Sequence, residues 1–306
     1  VELHDRVYPE FLTHTQANAR WSIVRPALQQ LPGDLSDIFV PDDGYGWLKH
    51  DWSSVELGIQ GAIANDRLLV DAFNANPIWD MHTRHMCEIL EYDYPVSKDN
   101  PHTSPEDEPW RVRYKWVGKD DLRRRFAKVF VFRLIYRGDP RFAGDIPGAR
   151  ALGLDGKKLQ RAADAWLSRH PAVRAYWARI DEQIRIYGFT QTWTGRKRRY
   201  TSIGPDKVIP SGVFREGANH PIQGGVSDLK NLTMIELLER CEWLTLAKEQ
   251  HDAFWLECPL ERVDETWPIY QEVVQRPRVI EGVTVPFPAE FKLYLPDGSV
   301  QKVARV

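Results

Sequence analysis

The run Trp47-Leu48-Lys49-His50-Asp51-Trp52 predicts a short, partly buried strand, and apolar residues at helical spacing from Val55 to Leu69 predict a helix directly after it. Upstream, Arg20 to Tyr45 is rich in Pro, Gly and Asp and reads as an irregular segment. Residues 89 to 110, with Tyr94, Pro95, Asn100, Pro101, Pro105 and the Glu106-Asp107-Glu108 cluster, have the composition of a loop separating two subregions. Asp120 to Tyr136 is a charged helix start that becomes apolar. Lys157 to Tyr187 is a long amphipathic helical pattern interrupted near His170-Pro171. Gly188 to Arg199 predicts a strand and a basic turn, Arg215 to Arg240 a helix apart from Pro221, and Leu244 to Glu257 a hairpin-like strand pair. Glu261 to Gln275 predicts a helix, and Val279 to Val303 terminal strands around Pro296-Asp297-Gly298-Ser299. There is no internal repeat and no low-complexity tract. The pattern is α+β: a sheet assembled from distant strands, with a helical insertion between them.

Composition narrows the class. A chain of 306 residues accommodates one large domain or two, at roughly 100 to 200 residues each. Its 41 Lys+Arg against 43 Asp+Glu leave a formal charge of -2, so an anionic partner has to be met by a local basic patch. Three scattered cysteines, Cys87, Cys241 and Cys258, exclude a disulfide framework or a Cys-Cys zinc pair, and are read as free thiols in a reducing compartment. No apolar run approaches the ~20 residues of a membrane span, and the N-terminus lacks a secretory layout. The expectation is a soluble, cytoplasmic protein. The first residue is Val, so the sequence reads as trimmed or processed.

Four constellations have chemical potential. Asp51 closes one apolar strand and Asp252 precedes another some two hundred residues later; carboxylates at neighbouring strand ends suit a pair of hard divalent cations. A helix N-cap and a turn residue would leave the same two positions. Arg124, Lys128, Phe132 and Tyr136 recur every four residues as one helical stripe, cationic then aromatic, able to hold a triphosphate and stack on a base. An ordinary amphipathic helix with a solvated basic end is the alternative. Arg215, Asn219 and Gln223 share a spacing of four and suit minor-groove base edges and sugars, or a solvated face. Arg196-Lys197-Arg198-Arg199 after Gly195 is a basic turn that could clamp a phosphate backbone.

Taken in order, these segments resemble the polymerase core of DNA polymerase family A, the DNA polymerase I-like enzymes. Asp51 to Leu57 is similar to motif A, Asp-x-Ser-x-x-Glu-Leu, and Asp80-Met81-His82-Thr83 to the Asp-Ile-His-Thr that follows it. Arg124, Lys128, Phe132 and Tyr136 match motif B, Arg-x3-Lys-x3-Phe-x3-Tyr. Gly195-Arg196-Lys197-Arg198 resembles the Gly-Arg-Arg-Arg turn, Asn219 to Gly224 resembles Asn-x-Pro-x-Gln-Gly, and His251-Asp252 stands where motif C carries His-Asp-Glu. Arg20, Ser22, Pro26, Leu28, Gln29 and Pro32 are similar to the Thr-Gly-Arg-Leu-Ser to Asn-Ile-Pro segment. The seven matches cover about residues 18 to 260. The tail, Val285 to Lys292, is only vaguely similar to phage-type members.

The resemblance implies a template-directed DNA polymerase built from a palm (1-90 and 213-306) and an inserted, mainly helical fingers subdomain (91-212). It implies two Mg2+ ions held by Asp51, Asp252 and the Trp52 carbonyl. Arg124, Lys128 and His82 would contact the triphosphate, with Lys128 as proton donor. Glu56 would be the steric gate against a 2′-hydroxyl; Tyr136 would help close that gate, and Phe132 would pack on the incoming nucleotide. Arg20, Gln29, Arg196, Arg215, Asn219, Gln223 and His251 would contact primer-template DNA.

Departures qualify that picture. Ala253 replaces the motif C Glu, Arg133 and Arg137 replace glycines, and Gly58 stands where an Arg is usual. Only 50 residues precede Asp51, where the family places a thumb and usually an exonuclease-type domain. The expectation is a split or processed polymerase whose second polypeptide supplies the thumb and an exonuclease, acting at a nucleoid or viral replication site. The competing readings are a catalytically degenerate palm that only binds nucleic acid, which Ala253 favours, and a single-subunit RNA polymerase, which Glu56 and Phe132 oppose.

Overall fold

The computed structural model describes Val7 and residues 9–13, 16–25, 27–30, 38–75, 80–90, 120–200, 208–250 and 252–303. Most of the loop expected at 89–110 lies outside the described residues. In chain order the elements are β1 (Glu10–Leu12), β2 (Ser22–Val24), β3 (Tyr45–Trp52), α1 (Val55–Ala64), α2 (Arg67–Asn74), α3 (Met81–Leu90), α4 (Leu122–Ile135), α5 (Gly156–Arg169), α6 (Pro171–Tyr187), β4 (Phe189–Gln191), β5 (Lys197–Arg199) and α7 (Ser211–Arg240). There follow β6 (Thr245–Gln250), β7 (Ala253–Pro259), α8 (Val263–Gln275), β8 (Arg278–Ile280), β9 (Val283–Val285), β10 (Ala289–Tyr294) and β11 (Val300–Val303), with short 3-10 turns at Leu28–Gln30, Pro140–Asp145 and Leu260–Arg262. The α+β expectation holds. The chain divides into two compact units, one of residues 1–56, 223–278 and 286–306, the other of 57–222 and 279–285.

The first unit is built on a five-stranded antiparallel sheet of order β11-β10-β3-β7-β6. Strand side chains alternate between faces, so the pattern of β3 decides what each face is made of. Leu48, His50 and Trp52 are buried, while Trp47, Lys49 and Asp51 point the other way. Leu48, Leu256 and Phe291 are almost fully buried on the core face, each contributing roughly 1.5–3 kcal/mol. Helix α8 covers that face: Tyr270 and Trp267 meet Phe291 edge-on, and the Trp52 indole donates to the Val274 carbonyl at 3.0 Å. His50 Nδ1 lies 2.9 Å from the Tyr270 hydroxyl, and burial, aided by the Lys49 charge, lowers its pKa to about 3. It therefore packs as a neutral aromatic ring.

One irregularity in the sheet sorts charge. A register shift between Leu246 and Lys248 puts Lys248 opposite Trp255 and Glu249 opposite Phe254. Lys248 thus joins the polar face and Glu249 faces the core, where it is fully buried against Lys230 of α7.

The second unit is mainly helical, and its helix ends are written in the sequence. The single helix expected over Val55 to Leu69 is two: Asn65 takes a left-handed φ of 54°, and Asp66 caps α2 by accepting from the Leu68 and Leu69 amides at 3.1 and 3.3 Å. Asp121 and Asp155 cap α4 and α5 in the same way. The expected break at His170-Pro171 is the α5–α6 junction, with Pro171 in the first turn of α6. Gly188, at φ 68°, ends that helix and leads into the β4–β5 hairpin. Pro221 does not interrupt α7, which runs on for 30 residues. The proline withholds an N–H from the Gly217 carbonyl, and the Tyr176 hydroxyl donates to the neighbouring Ala218 carbonyl at 2.8 Å. A side chain at Gly217 would bring its Cβ to 2.4 Å from the Ile184 Cδ1 atom, so the Ile184 side chain would have to shift to admit it.

All three cysteines are free and buried. Burial raises every thiol pKa, that of Cys87 to about 12. The native chain at pH 8 is therefore expected to resist iodoacetamide and to take up label at three sites only when unfolded in urea. Fast labelling of the folded chain, counted by mass spectrometry, would contradict this packing.

Candidate active site

Asp51 is the penultimate residue of β3, and Asp252 occupies the turn that joins β6 to β7. Because β3 and β7 are antiparallel neighbours paired up to Lys49 and Trp255, the last residues of one strand meet the first of the other. Both carboxylates therefore arrive at the same end of the sheet. Asp51 is exposed, and Glu290 of β10 lies directly across from it. The strand end thus carries a carboxylate that motif comparison did not anticipate, on the β10 side of β3, away from Ala253 on β7.

Arg20 is bound into this cluster. Its guanidinium donates to both Asp252 oxygens, at 2.8 and 2.9 Å from Nη2 and 3.0 Å from Nε, and reaches Glu56 at 3.4 Å. Three expected site residues, 36 and 232 positions from one another, are so brought together. Carboxylate and main-chain oxygens are the donors a hard divalent cation takes, so Asp51, Asp252 and Trp52 fit Mg2+ by chemistry. The guanidinium supplies positive charge to Asp252 in the arrangement observed.

The polar face of the same sheet is basic. Lys49, Lys248, Lys292 and Lys302, with Trp47, Trp255 and Tyr294, line a cleft of about 410 Å3. Register and alternation place Lys49, Lys292 and Trp255 on the Asp51 side. Lys49 and Lys248 sit over the Trp255 ring at 4.4 and 5.0 Å. Burial and the neighbouring Lys292 and Lys248 charges push the Lys49 pKa down, a strain that an anion in the cleft would relieve. Motif comparison missed these lysines; the signal available was lysine recurring at polar positions of predicted strands.

In the second unit Asp80 organises the start of α3, accepting from the His82 amide at 3.2 Å and from the Thr83 hydroxyl at 2.7 Å. Arg124 of α4 donates to the same carboxylate at 3.0 and 3.4 Å, and both partners are buried. His82 and Phe132 have ring centroids 6.1 Å apart, and Phe132 and Tyr136 are stacked at 6.2 Å. Of the four residues of the stripe, Arg124 is buried, Lys128 exposed, and Phe132 and Tyr136 half-buried. The two arginines that replace glycines are engaged inside the unit. Arg133 donates to the Asp139 carbonyl at 3.0 Å, and Arg137 pairs with Asp181 while lying over Trp177 and Phe214.

Arg215, Asn219 and Gln223 follow one another on α7, the first exposed and the others half-buried, and Gln223 accepts from Asn18 at 3.4 Å. Arg196 is exposed beside Gly195 in the β4–β5 turn. His251 and the side chain of Gln29 lie outside the described residues.

A family model for DNA polymerase family A matches residues 1–293. The chain is 27% identical over 285 residues to DNA polymerase I of Lactococcus lactis subsp. cremoris, a match covering 90% of this chain and 29% of that protein. It is 26% identical over 279 residues to the thermostable DNA polymerase I of Thermus filiformis, covering 88% and 30%. Among solved structures, the POL domain of Pol1 from M. smegmatis in complex with DNA primer-template and dNTP superposes with a TM-score of 0.74 at 21% identity, covering 96% of this chain and 48% of that one. The chain thus spans less than a third of the length of these DNA polymerase I relatives. Among the described residues no helix is long and apolar enough to cross a membrane. With the model spanning nearly the whole sequence and the fold shared, the chain belongs to DNA polymerase family A.

Proposed function

We propose that this chain is the palm and fingers portion of a DNA-directed DNA polymerase that adds deoxynucleotides to a primer 3′-hydroxyl. The observation that carries this reading is that Asp51 and Asp252 stand at the same end of the sheet, on neighbouring strands β3 and β7, with Asp51 on the lysine-bearing face. On this reading Asp51, Asp252 and the Trp52 carbonyl hold two Mg2+ ions. When bound, such ions lower the pKa of the attacking hydroxyl and neutralise the leaving pyrophosphate. Glu56, held by Arg20, excludes a 2′-hydroxyl. Lys128, exposed on α4, donates the proton to the leaving group, while Arg124 and His82 contact the triphosphate. Phe132 and Tyr136 pack on the incoming base and the template position. Arg20, Gln29, Arg196, Arg215, Asn219, Gln223 and His251 contact the duplex, with palm assigned to 1-90 and 213-306 and fingers to 91-212. The same proposal assigns a thumb and any exonuclease to a second polypeptide, which pull-down from the native source should recover.

The lysine cleft gives this function an independent readout. Lys49→Ala combined with Lys292→Ala is expected to weaken primer-template binding at all sequences. The slope of log affinity against log salt should become shallower by about 2, one per phosphate contact removed. Fluorescence anisotropy over a salt series measures it, and an unchanged slope would place the duplex elsewhere. The direct test is primer extension by the purified chain with deoxy- or ribonucleotides. Deoxy-selective extension supports the proposal. A chain that binds primer-template yet extends nothing, with or without a recovered partner, would be the nucleic-acid-binding palm that Ala253 also suggests.

A further inference from the structure

Helix α3 carries His85 and Glu88 three residues apart on one face, and His170 stands at the α5–α6 junction. One ligand atom from each lies within 4.8 Å of the others, and all three residues are buried. The His170 Nε2 and Glu88 Oε2 atoms are 3.6 Å apart. That is long for a hydrogen bond, but close to the roughly 3.3 Å separating two ligands of a tetrahedral Zn2+ with bonds of about 2.0–2.1 Å.

The polar atoms point to a missing partner. Both ring nitrogens of His85, the Nε2 of His170 and the Oε2 of Glu88 are buried without a hydrogen-bond partner. Leaving a buried polar group unsatisfied is costly, and a folded chain does not collect four such atoms in one place without compensation. An imidazolium at His170, bridging Asp66 and Glu88, would satisfy His170 Nε2 and Glu88 Oε2. It would leave both nitrogens of His85 orphaned.

The surroundings are those of a metal ligand set. His170 Nδ1 lies 2.8 Å from Asp66 Oδ2, the carboxylate arrangement that fixes the tautomer of a metal-binding histidine and aims its other nitrogen. Asp66 is itself fixed, since its other oxygen caps α2. Arg84 donates to Glu88 Oε1 at 2.9 Å, which leaves Oε2 turned toward the histidines. The Trp166 ring stacks on His170 at 4.3 Å and meets His85 edge-on at 5.7 Å, shielding the cluster.

We infer that His85, Glu88 and His170 form a structural binding site for a transition-metal dication, Zn2+ above all. Two imidazoles and a carboxylate are donors that Zn2+ takes readily, whereas Mg2+ prefers an all-oxygen set. The ion ties α3, whose first turn Asp80 caps, to the α5–α6 junction and through Asp66 to the start of α2. The inference rests on this packing and is independent of the polymerase reading.

The test uses the full chain, expressed with zinc and dialysed against metal-free buffer. Mass-spectrometric metal analysis should find a single Zn2+ per chain, kept in Asp252→Asn and lost in Glu88→Gln and His85→Gln. Asp66→Asn should keep the site but weaken Zn2+ affinity roughly 10–100-fold in competition with a chromophoric chelator. Should the Glu88 or His85 variants fail to fold, Co2+ added to metal-free wild-type protein decides: intense visible bands of a four-coordinate, imidazole-bound ion are expected. A folded wild-type chain that takes up neither ion stoichiometrically overturns the inference. So does zinc that survives Glu88→Gln and His85→Gln but leaves with Asp252→Asn.

Discussion

Asp252→Asn is expected to lower primer extension by about 10^3-fold, equivalent to about 4 kcal/mol of barrier, and to leave stability nearly unchanged. The two halves of that expectation come from one geometry. Asp252 sits in a turn, and its ion pair with Arg20 joins side chains that remain 29% and 21% exposed. Solvent screens such a pair, and losing it costs about 1 kcal/mol or less. Asn keeps the size and one acceptor, so the turn survives. What it removes is the negative charge that, with Asp51, would hold the metal ions. Asp51→Asn should behave alike, since Asp51 is exposed at its strand end. Single-turnover extension beside urea unfolding separates the two effects. Retained extension in both variants would show that these carboxylates are not the metal ligands, whereas lost extension together with lost stability would make them structural.

The largest effect on folding is expected at Lys230. Its ammonium and the Glu249 carboxylate form an ion pair in which neither side chain is accessible. Lys230→Met leaves Glu249 charged and without that partner inside the sheet core, and is expected to cost about 3–5 kcal/mol. The double variant Lys230→Met, Glu249→Leu removes both charges, and should recover most of that loss, because the pair itself repays little more than its desolvation. Chemical denaturation of the wild type, Lys230→Met, Glu249→Leu and the double variant gives the coupling. Additive losses would mean that the pair is not the reason these groups are buried.

How far could all this be read from the sequence? Elements with strong periodicity or strong punctuation were legible: β3, α4, the break at Pro171, the β6–β7 hairpin. Asn65 and Asp66 also marked a helix boundary, yet the apolar spacing across them reads through as one helix, because periodicity carries no account of a capping carboxylate. Asp51 and Asp252 were singled out through their motif context. Arg20 on Asp252 was not, since 232 residues separate them and only the folded chain makes them neighbours. The same holds for Lys49, Lys248, Lys292 and Lys302, which gather only once strand order is known, and for Lys248 in particular, which depends on a one-residue register shift. His85, Glu88 and His170 each look ordinary in isolation.

The two faces of β3 also bear on how this chain can change over time. Eight consecutive residues alternate strictly between buried and more exposed positions. Losing or gaining a single codon between Tyr45 and Trp52 would turn Lys49 and Asp51 inward and expose Leu48 and His50, exchanging the two faces along the shifted part of the strand. A change of two codons preserves the parity. Among descendants of this sequence, length variation in that stretch should therefore be absent or come in pairs, while the turns at either end of it are free to vary one residue at a time.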